Sequence, residues 1–190
     1  MKQFIYPLLI AMTTLFLLGC QDKKIEINDE NGGNDTYEYD IYDFSFIDKA
    51  PETKERHSIN NVIKVLFDKN NSSISNTIAI DVYNKEIYIE PSWSTLGVDT
   101  FDEPVGVNDI EEVLGILEKY EVQDWETDYT FEDPLTYEDG LSWNLWLQFG
   151  DGTVEKHHGS GTKDGITPEN FEEFFTELND YVEERLRVEK

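Results

Sequence analysis

Three side chains of one predicted strand could form a binding surface. Along residues 141–149, polar side chains occupy one set of alternate positions, and Trp146 interrupts them between Asn144 and Gln148. An outward tryptophan beside two amides offers a flat ring and hydrogen-bonding groups to a sugar or a peptide. The sequence therefore predicts a candidate binding surface of Trp146, Asn144 and Gln148, although most tryptophans in a domain of this size belong to the core.

His157 and His158 could supply acid–base chemistry. Adjacent side chains of a strand point to opposite faces, so the two rings cannot act on one metal simply by adjacency. A histidine base needs a nucleophile within hydrogen-bond reach, and Ser142, Ser160 and Thr162 lie nearby in sequence without a recognisable motif. An envelope hydrolase that uses one histidine and a loop carboxylate is thus an alternative function. The alternative without chemistry is that the two histidines are an exposed pair at the edge of a strand.

Four carboxylates flank Pro134 and could bind Ca²⁺ through oxygen ligands. They lack the regular spacing of a calcium loop, and acidic loops are usually solvated, so a calcium-stabilised structural module is a further alternative and no metal site is predicted. The glycine-rich stretch at 159–161 lacks the ending that gives phosphate-binding loops their specificity, so no cofactor is predicted either. The four carboxylates are Glu132, Asp133, Glu138 and Asp139.

Periodicity predicts the elements that must position these residues. Alternation at period two favours strands, whereas apolar residues three and four apart favour helices. Ser58 and Asn108 are expected to cap the first two helices, and Thr167-Pro168 to cap the last. Strands are predicted over 41–47, 77–83, 87–90, 122–131, 141–149 and 153–158, and helices over 57–67, from 108 onward and from 167 onward.

This order of elements predicts the α+β class. Short turns at 84–86 and 150–152 join neighbouring strands into hairpins, which favours an antiparallel sheet. The apolar stripes of the helices need one partner surface, so we expect them to pack on one face of that sheet. The length from residue 41 to 190 matches one ordinary domain.

The first residues of the chain resemble a bacterial lipoprotein signal. Lys2 precedes an apolar run that ends in Leu17-Leu18-Gly19-Cys20. This run holds about 15 apolar residues, fewer than the roughly 20 that a spanning helix needs. The resemblance implies that the Cys20 thiol receives a diacylglyceryl group and that residues 1–19 are removed.

The resemblance also implies a cellular location. Acyl chains on Cys20 would hold the protein at the extracytoplasmic face of the cell membrane, because two or more chains anchor stably. Residues 20–40 are polar and acidic around Gly32-Gly33, which is typical of a flexible tether. Cys20 is the chain's one cysteine, so the domain over 41–190 must be held together by its core rather than by disulfides.

The charge limits the partners. The chain has 41 acidic and 15 basic residues, a formal net charge of −26. Such a field repels the phosphates of nucleic acid and anionic lipid headgroups, so contact with the membrane is expected only through the lipid. It attracts a basic protein or peptide and speeds the encounter. The sequence therefore favours a non-enzymatic binding or accessory domain for a basic partner.

Overall fold

The structure, a computed structural model, describes residues 24–27, 37–71, 75–94, 97–99, 104–131 and 140–188. The strands are β1 Lys24–Ile27, β2 Tyr37–Asp40, β3 Val62–Asn70, β4 Ser75–Asp81, β5 Glu86–Ile87, β6 Ser92–Ser94, β7 Gly97–Asp99, β8 Val105–Gly106, β9 Leu141–Phe149 and β10 Val154–Gly161. The α-helices are α1 Glu112–Lys119 and α2 Phe171–Val188, and 3-10 helices cover Phe44–Lys49, Ile59–Asn61 and Val122–Asp124.

Six strands form one antiparallel sheet in the order β10-β9-β3-β4-β5-β8. The predicted hairpins are confirmed, because β4 pairs with β5 and β9 pairs with β10. The second strand of the first hairpin is shorter than predicted, covering only Glu86–Ile87. A mixed fold built on an antiparallel sheet is the predicted α+β class.

Both α-helices pack on one face of the sheet, as predicted. The inner side of α2 buries Phe171, Phe174 and Leu178. The Phe171 ring lies 4.8 Å from that of Trp143 on β9, measured between centroids. Aromatic rings at this spacing contribute contact energy beyond the burial of their area. The apolar stripe predicted from residue 167 onward is therefore the stripe that the fold buries.

A second, smaller core lies on the opposite face, beneath the 3-10 helix Phe44–Lys49. A strand was the prediction for 41–47, and it is wrong. The Asp43 side chain accepts a hydrogen bond from the Ser45 backbone N–H at 2.9 Å and begins a 3-10 turn. Phe44 and Ile47, three positions apart, are buried by that turn. Three-residue spacing, not alternation, is thus the period that matters here.

The helix predicted over 57–67 is also wrong. Ser58 does cap a turn, since its side chain accepts from the Asn60 N–H, but that turn ends at Asn61 and β3 follows. The strand β3 lies between β9 and β4 and contacts both cores. A strand buried on both faces shows a continuous apolar run instead of alternation, and such a run can be read as a helix.

The strand predicted over 122–131 is replaced by a 3-10 turn and an extended loop. Trp125 is buried, with its ring centroid 5.1 Å from that of Phe174. The loop pairs with β10 only through a parallel bridge between Asp128 and His158. Alternation in the sequence therefore reports burial of the aromatic side chains rather than a strand in the sheet.

The start of α1 differs from the prediction. Asn108 was expected as its cap, but a turn precedes the helix and the N-cap residue is Glu111, which makes no side-chain cap bond. The apolar stripe is confirmed, because Ile110, Val113 and Leu117 are buried.

The segment predicted as a tether contains the paired strands β1 and β2, with Lys24 opposite Asp40. Over the described ranges, no helix is both long enough and apolar enough to cross a membrane.

A buried ion pair joins the sheet to the second core. Lys64 Nζ on β3 lies 2.8 Å from Asp81 Oδ2 on β4, and both side chains are buried. Asn84 donates two further hydrogen bonds to the Asp81 carboxylate, at 2.9 and 3.0 Å. Lys64 Nζ also lies 5.0 Å from the Phe44 ring centroid. This pair therefore holds the first hairpin, β3 and the 3-10 helix together.

Loss of one partner of this pair should be severely destabilising. Lys64→Met leaves the Asp81 carboxylate buried without its cation, which we expect to lower the free energy of unfolding by about 3–5 kcal/mol in a urea titration. Lys85→Met is the matched control, because the ion pair of Lys85 with Glu111 is exposed and should contribute less than about 1 kcal/mol. Equal effects of the two substitutions would contradict the expectation.

Candidate functional site

Trp146 is 1% exposed and does not face solvent. Its ring lies in the second core, with its centroid 5.2 Å from that of Trp93. Lys156 Nζ lies 5.4 Å from the centroid of the Trp146 ring. The outward tryptophan expected from the sequence is therefore not found. The reason is that this part of the sheet is covered on both faces, so the alternation of β9 places Trp146 in a core.

Gln148 is also buried, and it donates Nε2 to the Ile41 carbonyl at 2.7 Å. This bond fastens the chain before the 3-10 helix to β9. Asn144 is half-buried, and its side chain has no hydrogen bond within the described part of the chain. Of the three residues predicted to form a binding surface, Asn144 is the one whose amide remains available.

His157 is 3% exposed, and both of its ring nitrogens have polar neighbours. Nδ1 lies 3.0 Å from the Glu126 carbonyl oxygen, and Nε2 lies 3.0 Å from Glu155 Oε1. A base must be free to reach a substrate proton, and this ring is instead engaged by a backbone carbonyl and a carboxylate. The geometry is that of a contact joining β10 to the loop that contains Glu126.

His158 faces the opposite side of the sheet from His157, as the sequence predicts. His157 is opposite Leu145 in the register, and His158 is opposite Asn144. His158 Nδ1 lies 3.4 Å from Asp128 Oδ1. Burial lowers the pKa of the His158 imidazole, with a smaller opposing effect of Asp128. The imidazole is therefore mainly neutral at pH 7.

His158 belongs to a polar part of the sheet that the second core does not include. The register aligns two rows of side chains across β10, β9, β3 and β4, and residues directly opposite each other share a face. We call these eight residues the polar sheet face. The first row is His158, Asn144, Asp68 and Thr77, and the second is Ser160, Ser142, Asn70 and Ser75.

Half of this surface could be anticipated from the sequence. Ser142, Asn144 and His158 alternate with core residues on the neighbouring predicted strands 141–149 and 153–158, which is the signal that finds them, and Ser160 lies just beyond the second. Thr77 begins the predicted strand 77–83, whereas Asp68, Asn70 and Ser75 lie outside every predicted strand. Since 57–67 was interpreted as a helix, no strand was expected to continue through Asp68. Only the register of β3 between β9 and β4 brings the two halves together.

Asp68 lies at the centre of the polar sheet face and is 3% exposed. The Thr77 hydroxyl donates to Asp68 Oδ1 at 2.8 Å. Burial raises the pKa of the Asp68 carboxyl, and this outweighs the lowering by the Thr77 hydrogen bond. The charged form of Asp68 is therefore disfavoured by the fold.

A second candidate surface lies between the two helices on the other face. A groove of about 450 Å³ is lined by Glu112, Gly115, Ile116, Glu177, Asp180, Tyr181, Glu184 and Arg185. We call it the acidic groove. Ile116 and Tyr181 are buried apolar residues along it, and a Cβ atom added to Gly115 would have no neighbour within 4 Å.

Part of the groove's charge is neutralised internally. Arg185 donates to Asp109 Oδ2 at 2.6 Å and to Glu112 Oε2 at 2.7 Å. The hydrogen bond from Arg185 lowers the pKa of the Asp109 carboxyl. Lys119 and the Tyr120 hydroxyl both bind the Glu177 carboxylate, and Lys119 lowers its pKa.

Other carboxylates of α2 remain unneutralised. Among the described residues, no ion pair or hydrogen bond reaches the side chains of Glu173 and Asp180. They form a stripe with Glu177 and Glu184 at spacings of three and four residues, which places them on one side of the helix. Like charges at such spacings weaken a helix by about 0.2–0.5 kcal/mol per pair. Helix stability therefore does not account for this stripe.

The acidic loop considered for Ca²⁺, with Glu132, Asp133, Glu138 and Asp139, lies outside the described residues. Within the described ranges, no three side chains of the metal-binding types are grouped closely enough to hold an ion.

Comparison with protein families, curated proteins and solved structures finds no match to this chain. The residues themselves must therefore support any functional assignment.

The raised pKa of Asp68 predicts that the free energy of unfolding depends on pH. The folded protein holds the Asp68 proton more tightly than the unfolded chain does, so stability falls as the pH rises through the folded pKa. Asp68→Asn mimics the neutral carboxyl and should raise the free energy of unfolding at pH 7. The gain should vanish below about pH 4, where the unfolded carboxyl is also protonated. Urea titrations at both pH values measure the difference, and the exposed Asp164→Asn serves as the control.

A gain for Asp68→Asn that is the same at both pH values would contradict this account, since it would then not come from the charge. A loss at pH 7 would show that the ionised carboxylate is favoured.

Proposed function

We propose that this protein is a lipid-anchored binding domain at the extracytoplasmic face of a bacterial membrane, and that it binds a basic protein or peptide in the acidic groove. The observation that carries the proposal is the stripe of carboxylates on α2, two of them unpaired, beside the apolar floor of the groove. Asp180 lines the groove, and Glu173 lines an adjoining depression that shares Glu177 and Asp180 with it. Neither Glu173 nor Asp180 has a cation within the described part of the chain, while Ile116 and Tyr181 supply buried apolar surface nearby.

Lysine and arginine suit such a groove because their chemistry has two parts. Their aliphatic stems can lie on apolar surface while the charged head reaches a carboxylate. The open space beside Gly115 allows a side chain or a backbone to approach α1 closely. A single exposed ion pair contributes at most about 1 kcal/mol, so affinity requires several pairs together with contact on the floor.

The net charge of the chain adds long-range attraction. A formal charge of −26 draws a cationic partner toward the domain and raises the association rate. Salt screens this attraction, with a Debye length of about 8 Å at physiological ionic strength. Binding in the groove should therefore combine a salt-sensitive association rate with a dissociation rate that depends on the local contacts.

The alternative of an envelope hydrolase has less support. His157 is engaged by Glu126 and Glu155, and His158 contacts Asp128. These contacts favour structural roles for both rings.

Charge reversal at the two unpaired carboxylates of the α2 stripe tests the proposal. The double variant Glu173→Lys/Asp180→Lys should raise the Kd of a fluorescent amphipathic Lys/Leu peptide at least about tenfold, equivalent to 1.4 kcal/mol. The matched control is Glu52→Lys/Glu55→Lys, which makes the same change in net charge at exposed positions outside the groove. Fluorescence anisotropy at low and at physiological ionic strength measures both. Equal weakening by the two variants would refute a groove-specific site.

Gly115→Leu separates shape from charge. It leaves the net charge unchanged, places a side chain in the open space and introduces a better helix former. We expect weaker binding of the same peptide without loss of thermal stability. Unchanged affinity would mean that the peptide does not enter the groove at Gly115.

The lipid anchor is tested separately at Cys20. Cys20→Ala removes the thiol that would carry the acyl chains, so the protein should no longer incorporate an alkyne-labelled fatty acid and should remain unprocessed. Metabolic labelling measures the first result, and the mass of the chain, with or without residues 1–19, measures the second. Lys24→Ala leaves the thiol in place and serves as the control. Labelling of the Cys20→Ala variant equal to that of the control would refute lipidation at this residue.

A further inference from the structure

The polar sheet face differs from the rest of the second face because seven of its eight side chains are exposed or half-buried, Asp68 being the exception. Asn70, Ser75 and Ser142 are exposed, and Asn144 and Thr77 are half-buried. It spans four strands, about 14 Å at the usual strand spacing of about 4.8 Å. Its two rows lie roughly 6.7 Å apart, which is two residues along a strand. The surface is therefore an elongated, shallow array of polar groups.

Several of these groups have unused hydrogen-bonding capacity. Within the described residues, the side chains of Asn144, Ser142 and Asn70 make no hydrogen bond, and Asp68 accepts only the one from Thr77. An amide provides two donors and one acceptor, a hydroxyl provides both, and a carboxylate accepts several bonds. The exposed and half-buried members of the face thus offer donors and acceptors side by side.

The border of the polar sheet face along β10 is held in place by a neighbouring segment of the same chain. His158 Nδ1 lies 3.4 Å from Asp128 Oδ1, and Ser160 Oγ lies 3.4 Å from Thr130 Oγ1. The segment containing Asp128 and Thr130 therefore holds two members of the face in place. Preorganised polar groups lose less conformational entropy when a ligand binds.

The face has one carboxylate among its eight side chains, whereas acidic residues dominate the charge of the chain as a whole. That carboxylate, Asp68, is buried, and burial raises its pKa. Burial lowers the pKa of His158, which keeps the imidazole mainly neutral at pH 7. A cationic ligand finds stronger partners in the acidic groove, and an anionic ligand is repelled by the net charge of −26. Electrostatics therefore favours a neutral ligand.

The backbone of the two central strands of this face cannot recognise a peptide by strand addition. Both β9 and β3 are paired on each of their two edges, so their N–H and C=O groups are used within the sheet. An added strand needs a free edge. Recognition at the centre of the face must therefore come from side chains.

We propose that the polar sheet face binds a neutral carbohydrate chain. Sugar hydroxyls donate and accept hydrogen bonds, so they match the mixture of amide, hydroxyl and carboxylate groups around Asn144. The elongated outline of the two rows suits a linear oligosaccharide lying across the strands. This site is independent of the acidic groove, because the two lie on opposite faces of the sheet.

Titration with neutral oligosaccharides tests the site directly. The purified chain is titrated with cellotetraose, maltotetraose, mannotetraose and N-acetylchitotetraose by calorimetry, and the side-chain amide signals of Asn144 and Asn60 are followed by NMR. At least one sugar should bind with a Kd of millimolar or below and should shift the Asn144 amide signals. The exposed Asn60 lies outside the face, and its signals should not move.

Variants then assign the binding to the face. Asn144→Ala should raise the Kd of that sugar at least about tenfold, whereas the matched Asn60→Ala should not change it. Ser142→Leu, which adds an apolar side chain at an exposed position of the face, should also weaken binding. Failure of every sugar to bind at millimolar concentration would overturn the proposal. Equal affinity of Asn144→Ala and Asn60→Ala would overturn it as well.

Discussion

Strand β3 is covered on both sides, and the arrangement of the remaining elements depends on that double burial. Val65 and Phe67 face the core beneath the two α-helices, whereas Leu66 faces the core beneath the 3-10 helix Phe44–Lys49. On the same side as Leu66, the Lys64–Asp81 ion pair ties β3 to β4 inside the second core. Charges removed from water are tolerated only when they are paired and hydrogen-bonded, so this pair restricts how the first hairpin can sit on the sheet. The register that results also carries Asp68 into line with Asn144 and His158.

The second core includes one end of its sheet face and leaves the other end polar. Trp146 and Leu66 belong to the included part, and the next row toward the other end is Asn144 and Asp68. The change from apolar to polar occurs within two residues of each strand. On the opposite face the helices bury aromatic side chains against the sheet and turn the carboxylates of α2 outward. The sheet thus separates a groove rich in carboxylates from a polar surface with a single carboxylate, and two ligands of different chemistry would not compete for space.

The elements that sequence reasoning predicted correctly are those with one buried side. The helix α2 and the strand β10 each alternate between core and more exposed positions at their own period, and both were found; β9 was found because its sequence alternates, although residues 145–149 are buried on both faces. The errors fall where that contrast is lost. The apolar run of β3 has partners on both sides, so periodicity could not tell it from a helix. The aromatic residues of 41–47 and 122–131 alternate as they would in a strand, but a 3-10 turn and a loop bury them. The local pattern does not distinguish these two causes of alternation. Asn144 was singled out, but its partners Asp68 and Thr77 depend on pairing between strands distant in sequence.

The sequence by itself determined the α+β class, the acidity of the surface, and the apolar stripe of α2, because each depends on composition or on a local period. Tertiary structure alone decided the environment of Trp146. An interrupted polar face on β9 is compatible with an exposed ring or with a second core, and the choice depends on whether another segment covers that side of the sheet. The 3-10 helix Phe44–Lys49 covers it, about one hundred residues away along the chain. Burial is a property of two surfaces in contact, so the sequence of one strand cannot establish it.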